Sequence, residues 1–130
     1  MSAAADDIRE LLEKRIAALR RHDAQGANAA LDSAIVAFEV AGPLQLPAAQ
    51  ATDVAATQAW LDSFDDGPFV TMEQLVIHAD PTVAFCHSLN RVQGRDIDGR
   101  KVDVKLRSTL GLQRTEKGWT IIHGHTSLPR

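Results

Sequence analysis

The fold of this chain is decided near its C-terminus by two runs, RSTLGLQR at residues 107–114 and GWTIIHGHTS at residues 118–127. Both runs are strand-like, and the Lys117-Gly118 pair between them is typical of a tight turn. Connections this short favour antiparallel neighbours. The two runs therefore predict a closing hairpin with strands over residues 101–114 and 119–127.

Two more turn pairs, Asp80-Pro81 and Asp98-Gly99, precede this hairpin. They bound two further strand-like runs, at residues 69–78 and 83–93. The second half of the chain is therefore predicted to be a meander of antiparallel strands.

The first half of the chain has a different pattern. Apolar residues recur at helical spacing from Ile8 to Leu19 and predict an amphipathic helix. The alanine-rich residues 24–32 predict a short second helix. Strand formers at residues 34–40 predict a strand that ends near Glu39, followed by a loop over residues 43–52.

A further helix is predicted from Val54 to Phe64, with Thr52 or Asp53 as its cap and Gly67-Pro68 as its end. Helices first and strands last predict an α+β fold, in which N-terminal helices pack on one face of a curved, antiparallel or mixed sheet. The length of 130 residues suits one hydrophobic core, so residues 1–130 are predicted to form a single domain.

Composition and charge exclude several classes of partner. Hydrophobic residues are 45% and charged residues 24% of the chain, as in ordinary globular proteins. The net charge of -3 gives no electrostatic reason to bind nucleic acid or acidic lipid. No stretch approaches the ~20 apolar residues of a membrane span. We therefore expect no nucleic acid and no membrane as partners.

The only cysteine, Cys86, cannot form an internal disulfide and lies in an apolar run. It predicts a buried, reduced thiol rather than a catalytic nucleophile. The N-terminal MSAAADD lacks the basic patch and apolar run of a secretory signal. Together these features predict a cytoplasmic protein.

The closing hairpin resembles that of SnoaL-like and ketosteroid isomerase-like proteins, in which an arginine-threonine strand is followed by a tryptophan strand ending in alternating histidines. Earlier pieces fit the same pattern: Arg21-His22-Asp23, Glu39, Trp60-Leu61, and the run from Val83 to His87. The resemblance implies the nuclear transport factor 2-like fold, a cone of sheet and helices around a pocket, often paired into dimers. That fold hosts isomerases, cyclases, hydrolases, dehydratases and binding modules, so function must be argued from the pocket.

Histidines are the first candidates for chemistry. Strand alternation places Trp119, Ile121, His123 and His125 on one face of the last strand, with Phe85 and His87 sharing a face of an earlier one. Three imidazoles could then meet in one cavity. Backbone hydrogen bonding, proton transfer or ligand orientation, and metal binding remain open as their roles.

No local ligand motif such as H-E-x-x-H accompanies these histidines. We therefore expect no bound metal and no cofactor. His22 and His78 lie beside acidic, turn-like sequence and are expected to be solvated.

Glu39 is the candidate base. Phe38 and Val40 flank it, and apolar surroundings would raise its pKa. The resemblance places it where ketosteroid isomerase-like proteins carry a proton-abstracting aspartate. A surface carboxylate at a strand end is the alternative.

Arg107 and Asp103 are predicted to share a face of their strand. They would form an ion pair there, or Arg107 would lie in the pocket and polarise a carbonyl group of the ligand. The chain has no tyrosine, although ketosteroid isomerases hold the oxyanion with one. A literal ketosteroid isomerase is therefore disfavoured.

Two hypotheses of function follow. In the first, the protein is a cofactor-independent isomerase, lyase or cyclase acting on a small apolar carbonyl compound, with Glu39 as base and Arg107 with His123 or His125 steadying the enolate. The substrate would be bound by six further residues: Trp60, Phe64, Phe85, His87, Asp103 and Trp119. In the second, it is a non-catalytic ligand-binding or dimerisation module. Uncharged positions on both faces of strands 83–93 and 101–114 predict a homodimer through the outer face of the sheet.

Overall fold

The computed structural model describes residues 2–129. Its helices are α1 (Ala3–Arg20), α2 (Ala24–Asn28), α3 (Ala48–Ala51) and α4 (Val54–Asp62), and its strands are β1 (Leu31–Phe38), β2 (Phe64–Ala79), β3 (Val83–Asp96), β4 (Lys101–Thr115) and β5 (Gly118–Ser127). Within these residues no helix combines the length and the apolar character that crossing a membrane requires.

The five strands form one sheet in the order β1-β5-β4-β3-β2. The pairs β2–β3, β3–β4 and β4–β5 are antiparallel, as the short turns predict, and β1 is parallel to β5. The sheet is therefore mixed and the α+β prediction is confirmed. We call the face covered by the helices the concave face and the opposite face the convex face.

The core lies between α1 and the concave face. Ile8 and Leu12 of α1 pack with Cys86, Leu112 and Ile121 of the sheet, and each of the five is at most 2% exposed. Complete burial of one large apolar side chain stabilises the fold by about 1.5–3 kcal/mol. Cys86 is buried as predicted, and burial raises the pKa of its thiol to about 11, which disfavours the thiolate.

The segment predicted as a loop over residues 43–52 contains the short helix α3. Pro47 occupies the position before its first residue with a φ of -57° and makes no side-chain capping bond. The ring of proline fixes φ near this value. Asp53 caps α4 as predicted, since its side chain accepts a hydrogen bond from the backbone N–H of Ala55 at 3.0 Å.

The prediction that Gly67-Pro68 ends the helix after Val54 is wrong. That helix, α4, ends at Asp62, and β2 begins at Phe64 and runs through the Gly-Pro pair. Gly67 has a φ of 97°, which glycine adopts without strain, and the strand register shifts there. A glycine-proline pair thus marks a bulge in a strand as well as the end of a helix.

His22 ties the turn after α1 to two distant segments. Its Nε2 lies 2.6 Å from the carbonyl oxygen of Gly67, and its Nδ1 lies 3.2 Å from a carboxylate oxygen of Asp62. Both partners are acceptors, so both ring nitrogens donate when the imidazole is protonated. The hydrogen bond to Gly67, followed by Asp62, raises the pKa of His22. His22 is therefore partly exposed, as expected, but it is bound to Gly67 and Asp62 rather than free in solvent.

We expect His22→Ala to lower the free energy of unfolding by about 1–2 kcal/mol, because two hydrogen bonds are lost. Folding raises the pKa of His22, so protonated His22 stabilises the folded protein. This contribution is complete below the pKa of His22 in the unfolded chain and is lost as pH rises through its pKa in the folded protein. Urea unfolding at about pH 5.5 and about pH 8.5 should show the larger loss at acidic pH. Asp62→Asn, which keeps the bond to Gly67, should reduce this pH dependence. Equal losses at both pH values would contradict the assignment.

Candidate functional site

An extra residue in β5 determines which face its histidines occupy. Leu112 of β4 pairs with Ile121, but the preceding residue, Gly111, pairs with His123. Ile122 is therefore a β-bulge, two residues opposing one, and the alternation of side chains reverses there. The odd-numbered side chains before the bulge, those of Trp119 and Ile121, lie on the concave face. The odd-numbered side chains after it lie on the convex face.

His123 and His125 consequently lie on the convex face. Both rings contact the ring of Phe38 edge-on, with centroids 5.1 and 5.6 Å apart. His123 Nδ1 lies 2.7 Å from the carbonyl oxygen of Val36 and donates to it. The prediction that they share a face with Trp119 is wrong, and backbone hydrogen bonding is the role that the structure gives His123.

Phe85 and His87 also lie on the convex face, as partners of β2 residues. The ring of Phe85 stacks on His78 at 4.8 Å, and His87 lies 6.1 Å from His78. The predicted meeting of three imidazoles in a cavity therefore does not occur. Among residues 2–129 no three histidine, cysteine or acidic side chains are grouped to hold a metal ion.

The carboxylate of Asp103 is bound by a different arginine from the one predicted. Arg91 donates to both its oxygens, from Nε at 2.9 Å and from Nη2 at 2.8 Å, and this lowers the pKa of Asp103. Arg107 lies exposed on the same convex face, opposite Leu89. Asp103 and Arg107 therefore do not line a pocket under the helices.

The aromatic candidates divide between core and surface. Phe64 and Trp119 are buried, whereas Trp60 is 44% exposed and meets Phe64 edge-on at 5.3 Å. The indole N–H of Trp119 is buried and has no hydrogen-bond partner within residues 2–129. An unpaired buried donor costs about 1–3 kcal/mol, and because this N–H is closed off from solvent, Trp119 is a core residue rather than a ligand contact.

Hydroxyl groups, rather than imidazoles, cross the concave face. Ser88 of β3 pairs with Ser108 of β4, and Ser108 pairs with Thr126 of β5. These three residues, which we call the hydroxyl row, share the face of the buried Cys86, because β3 and β4 alternate regularly here. The row leads towards the end of β1, where Glu39 follows Phe38.

The hydroxyl row has unused hydrogen-bonding capacity. Ser88 is 7% exposed and donates to the side-chain oxygen of Asn90 at 2.7 Å. The hydroxyls of Ser108 and Thr126 make no hydrogen bond within residues 2–129. They are therefore available to a ligand on the concave face.

Glu39 lies directly after β1 and is exposed to solvent. By the alternation of Ile35 and Ala37, both buried, it follows on the concave side. Desolvation raises its pKa, while the charges of Arg15 and His125 act in the opposite direction. The raised pKa is what the apolar neighbours of Glu39 predict.

Arg15 of α1 is the residue that the sequence predictions missed. Its Nε donates to the carbonyl oxygen of Ala27 at 3.1 Å, and its terminal nitrogens make no hydrogen bond within residues 2–129. No oxygen of Glu39 lies within the 4.0 Å of an ion pair, yet each charge affects the pKa of the other. Arg15 lies four residues from both Leu11 and Leu19 and therefore on the apolar face of α1. An arginine on this face was the sequence signal that could have identified it.

A groove of about 340 Å³ borders Arg15, between α1 and the segment that joins α2 to β1. Leu11, Ala29 and Ala30 supply its apolar wall. Arg15 is thus common to this groove and to the surroundings of Glu39.

Residues 8–130 match the family model described as a SnoaL-like domain. The chain belongs to this SnoaL-like family. An NTF2-like protein of unknown function from Pseudomonas putida shares 31% identity and a TM-score of 0.82, with 99% of this SnoaL-like chain and 89% of that chain covered. The resemblance seen in the closing hairpin is therefore confirmed.

Two more distant structures share the fold. A candidate ketosteroid isomerase from Shewanella frigidimarina is 22% identical, with a TM-score of 0.68 over 91% of this chain and 92% of that chain. A candidate dehydratase of the NTF2-like family from Streptomyces avermitilis is 11% identical, with a TM-score of 0.76 over 97% and 96%. No curated protein matches this SnoaL-like chain.

We expect Glu39→Gln to raise the melting temperature, and the gain to grow with pH. Folding raises the pKa of Glu39 by desolvation, so the cost of its charged form is absent below the unfolded pKa and complete above the folded pKa. Thermal melts of both proteins from about pH 4 to about pH 8 measure this. Glu116→Gln, in the exposed turn between β4 and β5, is the matched control. A gain that does not change with pH would refute the desolvation of Glu39.

Proposed function

We propose that this SnoaL-like protein binds a small carbonyl compound under its helices and abstracts a proton next to the carbonyl, as a cofactor-independent isomerase, lyase or cyclase. The observation that carries the proposal is the position of Glu39, one residue beyond the Phe38–His125 pair and therefore next to Thr126 of the hydroxyl row. Partial desolvation raises its pKa although the residue is exposed. A carboxylate of raised pKa is a stronger base towards carbon acids.

In the proposed reaction, Glu39 takes the proton from the carbon next to the carbonyl, and the electron pair of that C–H bond moves to the carbonyl oxygen as an enolate. The enolate oxygen needs hydrogen-bond donors. Ser108 and Thr126 are the proposed donors, because their hydroxyls are unpaired on the concave face that Glu39 adjoins. They replace Arg107, His123 and His125, which lie on the convex face.

Apolar side chains continue the concave face beyond the hydroxyl row. Val92 and Leu106 are partly buried, and Val104 is 37% exposed. They suit the apolar body of the proposed substrate. The names of the Shewanella and Streptomyces structures, an isomerase and a dehydratase, support the same class of reaction, since both can begin with loss of a proton next to a carbonyl.

A non-catalytic binding module is the second candidate, and one observation favours it. Glu39 reaches solvent and makes no hydrogen bond to another residue within 2–129. A base that must be held in place is usually oriented by a neighbour. In this alternative the concave face holds a ligand without turnover.

We expect the protein to accelerate deuterium exchange at the carbon next to the carbonyl of cyclohexanone or 2-oxobutanoate in D2O, followed by NMR. Glu39→Gln should slow the exchange at least ~100-fold, because the amide cannot accept the proton. Asp103→Asn, on the convex face, is the control and should exchange at the original rate. A Glu39→Gln protein with full activity would end the base assignment. Binding of a probe without exchange would favour the binding module.

We further propose that the protein is a homodimer formed through the convex face. Five large apolar side chains on this face are each more than 40% exposed: Phe69, Val76, Val83, Phe85 and Leu89. A sheet with apolar residues on both faces is normally covered on both. A second copy of the chain offers the same apolar surface and suits this face by symmetry.

We expect Phe85→Glu to convert the dimer to a monomer, because the residues opposite Phe85, which are His78 and Gly111, carry no permanent positive charge. Two carboxylates would then be buried in the interface without partners. The mass from light scattering at micromolar concentration should fall to half. Ile97→Glu, at a residue that is 68% exposed in the β3–β4 turn, is the matched control and should stay dimeric. A wild-type protein with the mass of one chain would contradict the dimer.

A further inference from the structure

Arg15 carries a charge whose surroundings leave it without an anionic partner. Only its Nε–H is engaged, by a neutral carbonyl oxygen, and the terminal nitrogens have no partner within residues 2–129. Burial disfavours the charged guanidinium and lowers its pKa, with the charge of Glu39 acting against this. Partly buried charges are normally paired, because unpaired burial is costly.

The nearby carboxylates do not supply that partner. Glu39 is beyond ion-pair distance, and Glu10 is bound to Lys14 at 3.2 Å. Asp7 precedes Arg15 by eight residues on α1, which corresponds to about 12 Å along the helix axis. The terminal nitrogens of Arg15 are therefore free to bind an anion that comes from outside the chain.

The groove beside Arg15 indicates the kind of anion. Its volume of about 340 Å³ is at the small end of the range of ligand pockets, roughly 300–1,000 Å³. Leu11, Ala29 and Ala30 make part of it apolar, and Asp7, Glu10 and Lys14 also line it. Since Lys14 binds Glu10, Arg15 is the cation of the lining that a ligand can reach without breaking an ion pair. A guanidinium binds a carboxylate through two parallel hydrogen bonds, a geometry that neutral groups do not match.

We propose that Arg15 is an anion-binding residue and that the groove beside it binds a small organic carboxylate with an apolar body. The lining of this groove shares no residue with the hydroxyl row or with the apolar side chains proposed to hold the carbonyl compound. The proposal therefore rests neither on that site nor on proton abstraction by Glu39. The carboxylate lies on Arg15 and the apolar body against the groove wall. Glu39 then lies near a second negative charge, which weakens binding while Glu39 is ionised.

Isothermal titration with benzoate and with benzamide, its uncharged analogue, tests the proposal. The wild-type protein should prefer benzoate by at least about tenfold, and Arg15→Met should abolish that preference while benzamide affinity stays the same. Arg15→Lys, which keeps the charge but loses the fork, should retain part of the preference. Lys117→Met, which removes an exposed cation in the turn between β4 and β5 and far from the groove, should leave the preference unchanged.

A second measurement keeps the test independent of folding defects in the Arg15 variants. Glu39→Gln should bind benzoate more tightly than wild type, because a like charge is removed. Tighter binding in Glu39→Gln together with no deuterium exchange in wild type would support the anion site and reject the proposed reaction. Equal affinity for benzoate and benzamide, a preference that survives Arg15→Met, or no binding of either at millimolar concentration would overturn the proposal for Arg15.

Discussion

The structure depends on one contact, the packing of Ile8 and Leu12 of α1 against Leu112 and Ile121 of the sheet, where no side chain is more than 2% exposed. This contact holds the long helix over one face of the sheet and leaves the other face bare. Arg15 follows Ile8 by two helical turns, so the same apolar stripe carries a cation to the covered side. Stability and the candidate chemistry therefore depend on the placement of one helix.

Most of the fold could be predicted because its signals are local. The turn pairs at Asp80-Pro81, Asp98-Gly99 and Lys117-Gly118 separate the strands where they were expected, and the cap at Asp53 lies where it was predicted. Gly67-Pro68 was misread because the same residues permit a helix end or a strand bulge, and only the pairing with β3 selects the bulge. The local sequence limits the conformations that a segment can adopt, and the strand or helix it packs against determines which of them forms.

The candidate site was less predictable because its geometry is made between strands. The pKa direction of Glu39 follows from its immediate neighbours and was predicted. The partner of Asp103 was not, since Arg91 reaches it from the adjacent strand, whereas Arg107 is a neighbour only along the chain. The predicted faces of His123 and His125 were wrong because the prediction assumed regular alternation of side chains along β5. The sequence gives no sign of the bulge that interrupts this alternation.

The bulge at Ile122 also affects how the lining of the concave face can change. Loss of Ile122 alone would leave His123 opposite Gly111 and His125 opposite Thr109, so both histidines would stay on the convex face. If the bulge closed with no residue lost, Ile122 would take the place opposite Gly111, and His123 and His125 would move to the concave face while Thr126 left it. The register of the last strand, and not its residue types alone, therefore decides whether hydroxyls or imidazoles line that face. Two relatives that both carry the histidine pair share a chemistry only if their last strands also pair in the same register.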